Sequence, residues 1–192
     1  VAWAGHRQAF KRQLDALAAG FQQYAAVILD DVPVTAARPA TWDALASAVV
    51  HDTPKTPTIA TLVDYMNGHG ANSDAALRHP DRDWTAADTL KNVVVNLKYP
   101  DGTIEPLAVG IEGHREVDMK RLGAQVEPAE VEPFDEADFA RYPTLKKGYI
   151  GPGVLGTQNA SGIRYLLDPR IVDGTQWITG ADEYNRHIMY LT

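Results

Sequence analysis

At 192 residues the chain is long enough for one well-buried domain, or for one domain carrying an appendage. Hydrophobic residues at 45% and charged residues at 22% argue against disorder, and the lack of any cysteine removes a disulfide framework, a thiolate zinc site and a cysteine nucleophile together. The balance of 18 Lys and Arg against 25 Asp and Glu, a net charge of −7, taken alone argues against an extended nucleic-acid-binding surface.

In chain order, residues 5–28 come first. They place Phe10, Leu14, Leu17, Phe21, Tyr24 and Ile28 at alternating spacings of four and three, one apolar stripe of an amphipathic helix with Arg7, Lys11, Arg12 and Asp15 off it. Such a stripe needs a partner surface, either this domain's own core or a neighbour. Residues 31–39 hold two prolines and no periodicity and read as a linker; Thr41 then starts a short helix carrying Trp42, Leu45 and Val49. The segment His51-Asp-Thr-Pro-Lys-Thr-Pro57 reads as a second break. Thr58 can cap a helix with Ile59, Leu62, Val63 and Met66 on one face, ended by Gly68-His-Gly70, and Thr85-Ala-Ala-Asp88 has the form of a capping box. From there the period changes. Residues 92–97 and 104–111 are β-type runs joined by the turn signal Tyr99-Pro-Asp-Gly102. Helices are expected over 115–122 and 135–142, a strand over 163–167 ending at Asp168-Pro169, and a last strand over 187–191. The expected fold is α/β: a mixed sheet surrounded by helices over 51–192, preceded by a helical segment and proline-containing linker over 1–50. Val1 in place of Met suggests a piece of a longer chain. The longest uninterrupted apolar run is a handful of residues, so no membrane span or membrane partner is expected, and no charged-then-apolar leader opens the chain. The missing cysteines lean towards a reducing compartment, and the expected location is the cytoplasm.

The acidity is local. Residues 127–138 contain Glu127, Glu130, Glu132, Asp135, Glu136 and Asp138 with no Lys or Arg, and read as a solvated turn and helix start. Conventional catalytic motifs fail. Gly151-Pro-Gly-Val-Leu-Gly156 matches G-x-G-x-x-G but lacks the preceding strand and following helix of a dinucleotide site. The six histidines show no metal-ligand spacing, and Ser161, one of three serines, is no nucleophile elbow. Hydrolysis here would have to use an activated water, positioned donors or the substrate's own groups.

Five stretches form a set: Thr56 to Asp64, Thr85 to Val95, Gly148-Tyr-Ile-Gly-Pro152, Arg164 to Gly174, and Trp177-Ile-Thr-Gly-Ala-Asp182, with His187 just beyond. In that order they resemble the insertion (editing) domain of bacterial prolyl-tRNA synthetases of actinobacterial type, in the YbaK/ProX aminoacyl-tRNA deacylase superfamily. The resemblance implies hydrolysis of alanine mistakenly attached to proline tRNA. A synthetase pocket rejects a smaller apolar side chain weakly, because a missing methylene is worth only about 1–3 kcal/mol, so a second, smaller site must do the sorting. The implied partners are the alanylated 3′ end of tRNA(Pro) and a parent synthetase core, with no DNA. No cofactor is implied for editing, since ATP and Mg would belong to the parent core. A free-standing trans-editing deacylase and a non-catalytic tRNA-docking module stand as alternatives.

The resemblance also assigns residues. Lys91 matches the family's central lysine, which would hold the tRNA 3′ end; alone it reads as a solvated Lys leading into a strand. Gly148 and Gly151 with Pro152 match the family's G-x-x-x-P loop, whose amides would converge on an oxyanion, although a plain turn explains them too. Asp168 would orient substrate, or simply end its strand. His187 would line the alanyl pocket, or be a satisfied core histidine. Thr58 and Thr89 match threonines near the bound ester, and Thr58 is equally explained as a helix cap. The segment Asp182-Glu-Tyr-Asn-Arg186 departs from the glycine found there in better-known bacterial sequences, which leaves the pocket's shape open.

Overall fold

The computed structural model describes residues 48–171 and 175–192. The helix expected over 5–28, the linker over 31–39 and the start of the helix expected at Thr41 lie outside the described residues. Val49, assigned above to that second helix, is instead the first residue of β1 (Val49–Asp52). This strand also takes up His51 and Asp52, expected to be a break. Two adjacent β-branched residues favour the extended state, but the strand's partner lies over 130 residues away in sequence, where no local pattern could reveal it.

Helix α1 (Ile59–Asn67) begins as expected. The Thr58 hydroxyl accepts from the Thr61 amide at 3.2 Å and the Thr61 hydroxyl accepts from the Thr58 amide at 3.2 Å, a reciprocal cap. Its C-cap is Gly68, followed by the short α2 (His69–Ser73). Leu62 and Met66 pack with Leu77, Trp84, Ile178 and Met189, so α1 closes one side of the sheet of β1, β6 (Trp177–Gly180) and β7 (Arg186–Leu191). Asn67 holds the chain's return to this core from both sides, accepting from the Trp84 amide at 2.7 Å and donating to its carbonyl at 2.9 Å.

Thr85 and Asp88 cap a single 3-10 turn over Ala86–Asp88, which delivers the chain into β2 (Leu90–Lys98). β2 turns through Tyr99–Gly102 into β3 (Ile104–Glu112), the Gly102 amide donating to the Tyr99 carbonyl at 2.9 Å. Alternation along β2 sends Val95 and Leu97 to a core with Leu107, Leu122 and Ala129, and Val94 to another with Ala108, Leu145, Leu155 and Ile163. The central strands are therefore covered on both faces. α3 (Met119–Val126) starts four residues later than the expected Arg115, because Asp118 supplies the cap, accepting from the Lys120 and Arg121 amides.

The acidic stretch is more structured than a solvated turn. Its Glu130–Pro133 is an edge strand, β4, paired antiparallel with β2, with Lys98 Nζ 3.1 Å from Glu132. Asp135 caps α4 (Glu136–Arg141), and Asp138 is buried, accepting from Asn96 Nδ2 at 2.6 Å and paired with Arg141. β5 (Arg164–Leu167) runs parallel to β3. The described strands form two sheets, β1-β7-β6 antiparallel and β4-β2-β3-β5 mixed, joined by a parallel bridge between Thr89 and Ile178. No described helix is long and apolar enough to cross a membrane.

Candidate functional site

The bridge between the sheets forms the floor of a cleft of about 380 Å³. The start of α1 from Pro57 to Ile59 and the entry to β2 from Thr89 to Asn92 line it. So do Gly148 and Ile150 of the following loop, β6 from Ile178 to Gly180, and His187 of β7.

Thr89 is buried at the junction. Its hydroxyl donates to the Ala86 carbonyl at 2.8 Å, and its own carbonyl accepts from the Gly113 amide at 2.8 Å. Lys91, the second residue of β2, extends along the rim with Nζ 2.9 Å from Glu116, a carboxylate almost wholly exposed. An ion pair this wet contributes at most about 1 kcal/mol. The lysine can therefore exchange its partner for an incoming phosphate at little cost.

Gly148 has φ +84, the left-handed region, and a Cβ there would meet the Pro57 carbonyl oxygen at 2.7 Å. Gly151 and Gly180 are pressed together: a Cβ on Gly151 would lie 2.1 Å from the Gly180 oxygen. This close approach brings the loop backbone against β6. The expected convergence of loop amides needs a correction in detail. The Gly151 amide donates to Asp182 Oδ1 at 2.7 Å, and the Tyr149 amide donates to the Lys146 carbonyl. Among the described residues, the amides of Gly148 and Ile150 have no such acceptor, and both residues line the cleft.

His187 is both a satisfied buried histidine and a lining residue. It is 4% exposed, its Nδ1 lies 2.6 Å from the Thr53 hydroxyl, and its ring packs 5.3 Å from that of Tyr149. Burial pushes its pKa down from 6.5 to about 4, so the imidazole is neutral at pH 7. Thr53 is itself fully buried, and its carbonyl accepts from Thr56 at 2.6 Å.

Thus Thr58, Thr89, Lys91, Gly148 and His187 come together at the cleft. Gly151 backs the loop from behind, and Pro152 follows it outside the lining. Asp168 does not line the cleft. It ends β5, where its amide donates to the Gly110 carbonyl at 2.8 Å and its carboxylate takes the Arg170 amide and guanidinium. Thr58 spends its hydroxyl on the α1 cap.

Asn92 was missed. It donates to the Ile150 carbonyl at 2.8 Å and to Thr179 Oγ1 at 3.1 Å, and accepts from the Tyr165 hydroxyl at 2.6 Å. Its signal was an amide set into an apolar β run, on the same strand face as Asn96. Burial, with the nearby charge of Asp182, pushes the Tyr165 pKa upward, so the phenol stays a donor. Among the described residues, no group of three or more His, Asp or Glu side chains is placed to hold a metal ion.

The family model described as the aminoacyl-tRNA editing domain matches residues 53–191. The chain is 64% identical over 152 residues to a proline–tRNA ligase of Kineococcus radiotolerans, covering 78% of this chain and 24% of that protein. It is 48% identical over 188 residues to the proline–tRNA ligase of Cutibacterium acnes, covering 98% of this chain and 30% of that protein. It is 57% identical over 152 residues to proline–tRNA ligase 1 of Rhodococcus jostii. The chain spans less than a third of the length of these relatives. With the matched residues running from before α1 to the end of β7, around every wall of the cleft, the chain belongs to the aminoacyl-tRNA editing domain family.

Proposed function

We propose that this chain is the editing insertion of a proline–tRNA ligase and hydrolyses the ester of alanyl-tRNA(Pro). The observation that carries this reading is the cleft itself. It sets a rim cation, two loop amides without an acceptor among the described residues and a buried neutral imidazole around one small space. Lys91 leaves Glu116 for the phosphate or ribose of the terminal adenosine. A water attacks the ester carbonyl, and the amides of Gly148 and Ile150 donate to the oxygen as it becomes an oxyanion. The intermediate collapses by breaking the acyl–oxygen bond, the ribose oxygen leaving as a hydroxyl with the proton the water gives up and alanine leaving as the free acid. Neutral His187, held by Thr53, sizes the alanyl pocket with Ile178, while Thr58 and Thr89 border the ester. Asp168, which lies outside the cleft and holds Arg170, fixes the end of β5 rather than touching the substrate. Editing uses no cofactor of its own in this reading, and ATP and Mg belong to the ligase core, its partner. In this reading the editing domain takes in β1 and so includes Val49 and Val50 along with residues 51–192.

The test is deacylation of alanyl-, cysteinyl- and prolyl-tRNA(Pro) by the wild-type chain and Lys91→Ala. The expected result is turnover of the alanyl ester, little of the prolyl ester, and loss of turnover without Lys91. Wild-type turnover in Lys91→Ala sinks the assignment, and no hydrolysis by either protein favours a tRNA-docking module.

A further inference from the structure

The tight turn between β6 and β7 carries a half-buried carboxylate that the deacylation scheme leaves unused. Asp182 adopts φ +60, a left-handed conformation that Asp tolerates better than most residues. In that conformation it grips the loop in both directions. Its own amide donates to the Tyr149 carbonyl at 2.9 Å, and its Oδ1 accepts from the Gly151 amide at 2.7 Å. Its Oδ2 lies so close to Gly153 that a Cβ there would come within 2.9 Å of it, and the amides of Gly153 and Val154 stabilise the carboxylate's charge. Neighbouring amides converging on one anion act like a nest, here filled by the protein's own side chain. Three residues on, Asn185 does the same for the segment that leads into α1. Its carbonyl accepts from the Thr53 amide at 2.7 Å and its Oδ1 from the Lys55 amide at 2.9 Å.

We infer that Asp182 is a positioning residue for hydrolysis: it gathers the amides of Gly151, Gly153 and Val154 so that the loop stands against β6 and turns Gly148 and Ile150 towards the cleft. This rests on the proposed deacylation. A side chain there only to stabilise the fold would be a poor choice. Desolvation outweighs the amides and pushes the Asp182 carboxyl above its ordinary range, so its charge costs stability at neutral pH. An isosteric neutral replacement sheds that desolvation cost against the hydrogen bonds it loses, and is therefore expected to stay folded near the wild-type melting temperature while losing the loop geometry, because the amide NH₂ of Asn meets donors where the carboxylate met them with oxygen.

The experiment compares the whole chain with Asp182→Asn and Asp182→Ala in three measurements: melting temperature, alanyl-tRNA(Pro) deacylation kinetics, and residue-resolved amide hydrogen exchange. The expected result for Asp182→Asn is a nearly unchanged melting temperature and a kcat lowered at least tenfold, with KM within twofold. Exchange should accelerate at least tenfold at Gly151, Gly153 and Val154 but not at Leu97 and Leu107. Unchanged kcat in an active background overturns the inference, as does unchanged exchange in the loop or acceleration spread equally to the core. If the wild-type chain does not hydrolyse alanyl-tRNA(Pro), the functional reading fails by itself, and the exchange comparison still decides whether Asp182 holds the loop.

Discussion

Acid should weaken this fold between neutral pH and pH 5 through His187. Its pKa falls from 6.5 to about 4 on burial. A lowered histidine pKa means that the unfolded chain binds the proton more readily. The stabilisation is therefore complete above pH 6.5 and is lost as the pH falls towards 4. Between pH 7.5 and pH 5.0 the difference in proton binding costs the folded state about 2 kcal/mol. For a chain of this length that corresponds to a melting point lower by roughly 4–8 °C. The assay is urea unfolding at both pH values for the wild type and His187→Gln, which keeps a neutral polar side chain of similar reach. Every other titrating group is common to both proteins, Asp182 among them, whose raised pKa acts in the opposite direction. The difference between the two pH-induced losses isolates residue 187. It should be about 2 kcal/mol, larger for the wild type. Equal losses in the two proteins would refute the reasoning.

Three further substitutions test the geometry. Thr53→Val keeps the volume but removes the hydroxyl facing His187 Nδ1 in a fully buried site, and should cost about 1–3 kcal/mol by chemical denaturation. Gly151→Ala drives a methyl to 2.1 Å from the Gly180 oxygen, so the loop must retreat from β6; a loss of about 2–3 kcal/mol is expected, with deacylation falling alongside. Lys91→Ala removes only a wet ion pair with Glu116, so its melting temperature should match the wild type to within about 1 kcal/mol of stability even as turnover disappears.

Local chemistry was legible in the sequence. The Thr58 cap of α1, the capping box at Thr85 and Asp88, the Tyr99–Gly102 turn and the Asp135 start of α4 each depend on residues within four positions of one another, and each is present. Short strands with distant partners were not legible. β1, β4 and β6 are four residues each, too short to show a period, and the pairings of β1 with β7 and of β4 with β2 join segments far apart in the chain. The acidic stretch misled because charge suggested solvent, whereas Asp138 turns inward to Asn96 and Glu132 lies on a paired edge.

The site divides the same way. Residue types in order, from Thr58 through Lys91 and Gly148 to His187, were enough to indicate the family and to name five residues that share the cleft. What surrounds them was decided only when the chain folded. Glu116 on Lys91, Thr53 against His187, Asn92 beneath Ile150 and Asp182 behind Gly151 are contacts between residues 25, 134, 58 and 31 positions apart. The net charge of −7 belongs with these: a sum over residues says nothing of where each charge lies. A hydrogen bond or an ion pair acts over a few ångströms, and only the tertiary structure determines which distant residues come that close.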